Sequence, residues 1–364
     1  LGGCEADVSL VKTSGLHWVG SASVQSSSPG FEVNDIGFQT QVDRRSFSTI
    51  AIYRENKPGP LFREYDMFAF TNHSWNFDGD PTFAQVAFSA EGVFQEYWSA
   101  NARLEMRPRY YEDRITRGGP VVRLRGGGAA SWGVRSDQRR RTTCGANGSV
   151  SWNGAGGWGL GYGLSVNARP STRLLIGFEP FFSRSHARAQ YVTRIPDPLA
   201  TATYGSRFVF ADLDQTQLTL ATRINWAFTP KLSLQLYLQP LVAVGDYAEF
   251  KEFLSPRTFE FGVYGRDLGT ITPEPYGYVV DPDNTGPALP FTIFEPDFNF
   301  RSLLGNAVVR WEYRPGSALF FVWQQRRVGF ESIGDFAIGR DYSALIHQRP
   351  ESVFAVKATW WIGE

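Results

Sequence analysis

The stretch Gln217-Leu218-Thr219-Leu220-Ala221-Thr222-Arg223-Ile224-Asn225-Trp226-Ala227-Phe228, then Thr229-Pro230-Lys231, then Leu232-Ser233-Leu234-Gln235-Leu236-Tyr237-Leu238-Gln239, decides the fold. Leu218, Leu220, Ile224 and Trp226 alternate with Gln217, Thr219, Arg223 and Asn225. After the break, four leucines alternate with Ser233, Gln235, Tyr237 and Gln239. Side chains on a β-strand point to opposite faces in turn, so each run has one oily and one wetter face. Each run is about 10 residues long. Ordinary globular strands average roughly 5 or 6, whereas a strand that crosses a bilayer needs about 9 to 11.

The same alternation recurs outward. Ala307, Val309, Trp311 and Tyr313 alternate with Asn306, Arg310 and Glu312, and Phe354, Val356, Ala358, Trp360 and Ile362 alternate with Ala355, Lys357 and Thr359. Earlier runs cover Glu5 to Lys12, Leu16 to Ser26, Arg44 to Arg54, Tyr65 to Phe77, Ala84 to Tyr97 and Ala102 to Tyr111. About 16 strands are expected in all. Three connections are short and contain proline: 167–171, 228–231 and 314–317. The connections between them are long, roughly Ser183 to Gln215, Gly245 to Arg301 and Gly329 to Pro350. Tight turns on one side and large loops on the other are the habit of outer-membrane barrels. Trp226, Phe228, Trp311, Tyr313, Trp360 and Trp361 cluster near the short turns, as interfacial aromatic belts do. The expectation is therefore an all-β, antiparallel outer-membrane β-barrel formed by a single domain over 1–364, with one large external loop at about 248–300.

Composition agrees. The 364 residues carry 36 basic and 36 acidic side chains, 42% apolar and 15% aromatic residues, and 37 Gly. That mixture excludes a disordered chain, and the absent basic excess excludes a nucleic-acid partner. No run of 18 apolar residues is present, so no transmembrane helix is expected. On Gly157 to Asn167, Gly157, Gly159, Gly161 and Gly163 share one face with Ser165 and Asn167. A glycine row leaves room for a close neighbour or a local bend.

The polar members of the alternating runs are the candidate lumen lining: Arg173, Glu179, Gln217, Arg223, Asn225, Gln235, Gln239, Arg310, Glu312, Gln324 and Lys357. Their mixed signs predict a hydrated interior laced by hydrogen bonds and ion pairs, without strong ion selectivity.

Other motifs carry less. Asp281-Pro282-Asp283-Asn284-Thr285-Gly286 resembles the start of a calcium loop, but the position that requires Glu is Thr292, so a solvated loop is expected. Arg139-Arg140-Arg141 could grip lipopolysaccharide phosphates or simply be solvated. Leu1-Gly2-Gly3-Cys4 looks like a lipoprotein cleavage box without its leader, and Cys4 is expected to be an ordinary strand residue. A bridge between Cys4 and Cys144 is open. The pairs His73/Ser74 and Ser185/His186 are sequence neighbours, which face opposite ways on a strand, and no Gly-x-Ser-x-Gly elbow occurs. Neither an enzyme nor a cofactor is expected.

The segment from Phe298 to Ser317, FNFRSLLGNAVVRWEYRPGS, followed by Leu319 to Gln325, LFFVWQQ, resembles a hallmark of the bacterial family known as domain of unknown function 5916. The stretch Ser28 to Phe38, SPGFEVNDIGF, resembles a second. The resemblance implies a predicted outer-membrane barrel that follows a module similar to family-9 carbohydrate-binding modules. It implies that this chain corresponds to the later part, one wall of a larger barrel or a wall closed by a separate partner. It supplies no catalytic residues. The function expected on all these grounds is a channel, transporter or envelope scaffold among outer-membrane lipid, lipopolysaccharide and other envelope proteins. The alternative is an oligosaccharide-binding or carbohydrate-processing protein.

Overall fold

A computed structural model describes every residue except 1, 35, 36, 38–40, 363 and 364. Asp35, Ile36 and Phe38 of the second family hallmark, and Leu1 of the cleavage-box motif, lie outside the described residues. The first wall comprises β1 (Glu5–Lys12), β2 (Trp18–Ser27), β3 (Arg44–Glu55), β4 (Phe62–Trp75), β5 (Pro81–Phe94) and β6 (Ser99–Arg107). A small hairpin follows, β7 (Tyr110–Glu112) and β8 (Val122–Leu124). The wall resumes with β9 (Gly127–Arg135), β10 (Thr142–Asn153), β11 (Trp158–Ser171), β12 (Leu174–Pro196), β13 (Ser206–Thr229) and β14 (Leu232–Phe253). A long connection holds β15 (Phe261–Val263), β16 (Thr270–Glu274), β17 (Gly277–Asp281) and β18 (Phe291–Phe294). Then come β19 (Phe298–Arg314), β20 (Ser317–Glu331), the helix α1 (Ile338–His347) and β21 (Glu351–Thr359).

The chain is all-β around one large antiparallel sheet. Sixteen strands belong to it: β15 branches off β14, and the other fifteen follow one path in chain order from β1 to β21. The pairing of the described residues shows no closed barrel. Among the described residues β1 and β21 do not pair with each other, and the sheet is open at both edges. Leu10 in β1 and Phe354 in β21 are each 77% exposed. The last strand also lies earlier than the alternation predicts. Trp360, Trp361 and Ile362 fall beyond it, and the Trp361 N–H donates to Ser317 Oγ at 3.0 Å.

Connections sort by side. One end carries 13–17, 56–61, 95–98, 136–141, 172–173, 230–231 and 315–316. The other carries 28–43, 76–80, 108–126, 154–157, 197–205, 254–297 and 332–350. Contacts within each end support the assignment: Arg139 stacks over Tyr97 at the first, and Arg257 pairs with Asp80 and stacks over Tyr111 at the second. In the turn at 315–316, Gly316 adopts φ 73°, the left-handed geometry that a Pro-Gly turn of type II demands.

Strands β12, β13 and β14 run for 23, 24 and 22 residues, well past the length of their neighbours. Their far halves occupy what the sequence suggests are loops. Register shifts at Ala187/Gln190, Tyr191/Thr193 and Phe210/Asp212 break the alternation there, and Glu249 takes φ 49° at one of them. Both faces of this extension are buried. Val209 and Ala211 pack with Phe250, Tyr264, Val280 and Ile293, so one face is covered by the three-stranded sheet β16–β18. Phe208 and Phe210 pack with Val122 and Phe253, so the other is covered by the β7–β8 hairpin. The packed core of the molecule therefore lies in this lobe at the long-connection end. A strand buried on both faces has no reason to alternate.

Candidate functional site

Residues paired directly across an antiparallel ladder share a face. Following the register from strand to strand yields two unlike surfaces. One carries Val8, Val24, Phe47, Val86, Leu104, Trp132, Val150, Leu160, Leu164, Phe178, Ile224, Leu234, Val309, Phe321 and Val356. This apolar face reaches both edges, and large side chains stand open on it: Leu164 is 58% exposed and Val356 68%.

The opposite face holds ten of the eleven candidate lining residues: Glu179, Gln217, Arg223, Asn225, Gln235, Gln239, Arg310, Glu312, Gln324 and Lys357. The eleventh, Arg173, lies in the turn at 172–173, not on a strand. The register brings several together. Asn225 is directly opposite Gln235, and the Arg223 guanidinium stands 5.4 Å from the ring centre of its partner Tyr237. Lys357 Nζ is 5.9 Å from the ring of Phe320, also its partner. Arg310 Nη2 donates to Glu312 Oε2 at 2.7 Å, two residues along the same strand. Glu179 lines a polar hollow of about 740 Å³ with Asn101, Asn147, Asn167, Ser149 and Thr219. Gln217, Gln239 and Gln324 stand apart from these groups.

Glycines shape that hollow. A Cβ on Gly163 would lie 2.5 Å from Asn147 Oδ1, and one on Gly133 would lie 2.6 Å from Asn101 Oδ1. On Gly161 and Gly159 it would meet Ser149 and Ser151 hydroxyls at 2.8 and 2.7 Å. The glycine row thus makes room for amide and hydroxyl side chains of the adjoining strand, leaving them flat against the polar face.

Two groups escape the candidate lining. Arg103, Glu105 and Arg107 form a row on β6, with Arg103 Nη2 3.1 Å and Arg107 Nε 2.7 Å from Glu105 carboxylate oxygens. Their spacing of two was a readable signal, the same as Arg310 and Glu312. In the lobe, the buried Lys251 ammonium donates to Asp212 and, at 2.9 Å, to the Arg188 carbonyl, and Arg188 also pairs with Asp212. Arg207 bridges Asp197 and Glu252, each at 2.7 Å, and the Tyr264 hydroxyl donates to Glu252 at 2.8 Å. Burial, with the Glu252 carboxylate beside it, pushes the Tyr264 hydroxyl well above the ordinary phenol range. No local motif announces these partners, because they meet only through strand pairing.

The remaining motifs resolve simply. Asp281 and Asp283 carboxylates accept backbone N–H groups of their own loop, from Asp283 at 3.3 Å and Ala288 at 3.0 Å. Among the described residues no group of three or more His, Cys, Asp or Glu side chains could hold a metal ion. Cys4 and Cys144 are free and exposed. Cys4 immediately precedes β1; its carbonyl accepts from the Ser28 N–H at 3.0 Å and its N–H donates to Ser28 Oγ at 2.9 Å. Arg139-Arg140-Arg141 lies in the connection 136–141 at the short-turn end, with Arg139 held on Asp137 at 2.8 Å.

Burial pushes the Asp297 carboxyl up to about 6, and the neighbouring Glu295 and Asp246 carboxylates add to the rise, although the Tyr247 N–H donates to it at 2.7 Å. A carboxyl whose folded value exceeds the unfolded 3.8 takes up a proton on folding. Stability is then lost as pH rises from about 4 to about 6. After discounting for partial solvation, the cost at pH 7 is about 1–2 kcal/mol. Thermal unfolding of the lobe should occur at a higher temperature at pH 5 than at pH 7, and Asp297→Asn should remove most of that difference. An equal difference in the variant would assign it to other groups.

No curated protein matches this sequence. The profile of one family does, over residues 1–363, a span that includes both hallmark segments. The chain belongs to the family described as a domain of unknown function, DUF5916.

Proposed function

We propose that this chain forms the wall of an outer-membrane β-barrel whose polar face borders an aqueous path for hydrophilic solutes. The observation that carries the reading is the apolar face that runs in register from β1 to β21 with large side chains standing open on it. Monomeric soluble proteins rarely leave contiguous apolar patches of more than a few hundred Å² uncovered. The span of that face fits hydrocarbon. From Trp158 to Ala168, where the apolar side chains of β11 stand open, a strand advances about 33 Å, which at a tilt of about 40° is a height of about 25 Å.

In this reading the short turns face the periplasm and the lobe faces outward. The Arg139–Arg141 run then points away from the leaflet that carries lipopolysaccharide. The polar face, with its amides, hydroxyls and paired charges, lines the lumen. The packed lobe favours a second role as an envelope scaffold, since a rigid two-sided lobe at the mouth offers a surface to other envelope proteins.

Reconstitution tests both readings. In liposomes with brominated acyl chains, tryptophan fluorescence should be strongly quenched, and planar bilayers should show discrete conductance steps. Quenching without conductance would favour the scaffold. Recovery of folded chain in the aqueous phase, without detergent or lipid, would overturn the membrane reading.

A further inference from the structure

Several arginines find a carboxylate, among them Arg54 with Asp66, Arg257 with Asp80, Arg310 with Glu312 and Arg340 with Asp335. Three of those without such a partner gather at the short-turn end. Arg141, Arg169 and Arg173 line one hollow of about 590 Å³ with Ser171, Asn225 and Trp226, and no Asp or Glu lines it. The backbone holds the three in place. The Arg169 N–H donates to the Arg141 carbonyl at 2.7 Å, and the Ala227 N–H donates to the Arg173 carbonyl at 2.8 Å. Arg141 thus begins the approach to β10, Arg169 lies in β11, and Arg173 occupies the turn that leads into β12.

Concentrating three guanidinium groups without a counter-charge costs free energy through mutual repulsion, which an anion in the hollow would relieve. A carboxylate is saturated by one or two guanidinium forks. A phosphate offers three or four oxygens in a tetrahedral array and can accept from all three arginines at once. Ser171 and Asn225 add neutral donors.

We propose that Arg141, Arg169 and Arg173 form a phosphate-binding site at the short-turn rim of the sheet. The phosphate belongs either to a lipid headgroup or to a free anion. Trp226, which lies on the apolar face with its ring tilted against Phe228 at 4.4 Å between centres, marks where acyl chains would run beside the first of these.

The test uses the full chain in neutral detergent, titrated separately with inorganic phosphate and with a short-chain phosphatidylglycerol, and read by calorimetry and native mass spectrometry. Saturable binding of at least one ligand is expected. The triple variant Arg141→Gln, Arg169→Gln, Arg173→Gln should bind it at least ten-fold more weakly. Arg140→Gln removes a neighbouring charge whose side chain is 78% exposed and pairs with Asp137, and it should leave binding unchanged. Binding in 1 M salt should fall sharply, as it does for solvent-accessible ion pairs. Preference for phosphatidylglycerol assigns the lipid source, and preference for inorganic phosphate assigns the free anion. If the triple variant fails to fold, Arg173→Gln alone, in a two-residue turn, carries the same expectation at three-fold or more. Absence of binding by the parent chain, or equal affinity in parent and variants, overturns the site. Either result leaves the bilayer measurements untouched, so its failure is distinguishable from failure of the membrane reading.

Discussion

Leu164→Arg is expected to abolish stable insertion into a bilayer, while Ser165→Arg, one residue along β11, inserts normally. Leu164 is 58% exposed and points from the apolar face; Ser165 points from the polar one. In water, an arginine at so exposed a position costs within about 0.5 kcal/mol. In hydrocarbon it costs about 2–4 kcal/mol near the midplane, whereas lumen substitutions mainly alter selectivity. The pair therefore separates the two solvents. Heat-modifiable mobility after refolding into liposomes is the measurement. Equal insertion by the two variants would show that Leu164 does not face lipid.

The second large effect concerns the lobe. Asp212→Ala leaves the Lys251 ammonium, 5% exposed, and the Arg188 guanidinium without their shared carboxylate. Stranding a buried charge typically costs about 3–5 kcal/mol. The lobe should loosen, so that trypsin cuts within 254–297 while the large sheet stays protected. Combining Asp212→Leu with Lys251→Met removes both buried charges of the pair and should restore most of the resistance. Unchanged protection in the single variant would mean that another carboxylate, Asp214 or Glu249, takes over.

Much of the sheet is legible in the sequence for a physical reason. Where one face of the sheet is apolar and the other polar, period two is imposed on every strand, and Glu5–Lys12 or Arg44–Glu55 can be read almost to the residue. The polar candidates on β12–β14, β19, β20 and β21 follow from the same parity. Legibility ends where that contrast ends. Beyond about Ser183 and Gly245, strands covered on both sides by β7–β8 and β16–β18 become uniformly apolar or bulged, and periodicity mistakes them for loops. Arg173 differs for a local reason, since it lies in the turn at 172–173 and not on a strand. The Asp212–Lys251 contact bridges distant segments and leaves no trace in spacing. Closure is not legible either, because alternation describes a strand and says nothing of which strand comes beside it.

The open edges have a geometric consequence. All neighbours on the path are antiparallel and the path has fifteen members, so β1 and β21 point the same way. A ring of strictly alternating polarity needs an even count. Zipping these two margins together would therefore require one parallel seam, with its slanted and somewhat weaker ladder. A second copy inserted with the same orientation presents identical polarity at both margins and meets the same obstacle. What fits without a seam is an odd number of additional ribbons, the outermost of them descending where β1 and β21 ascend.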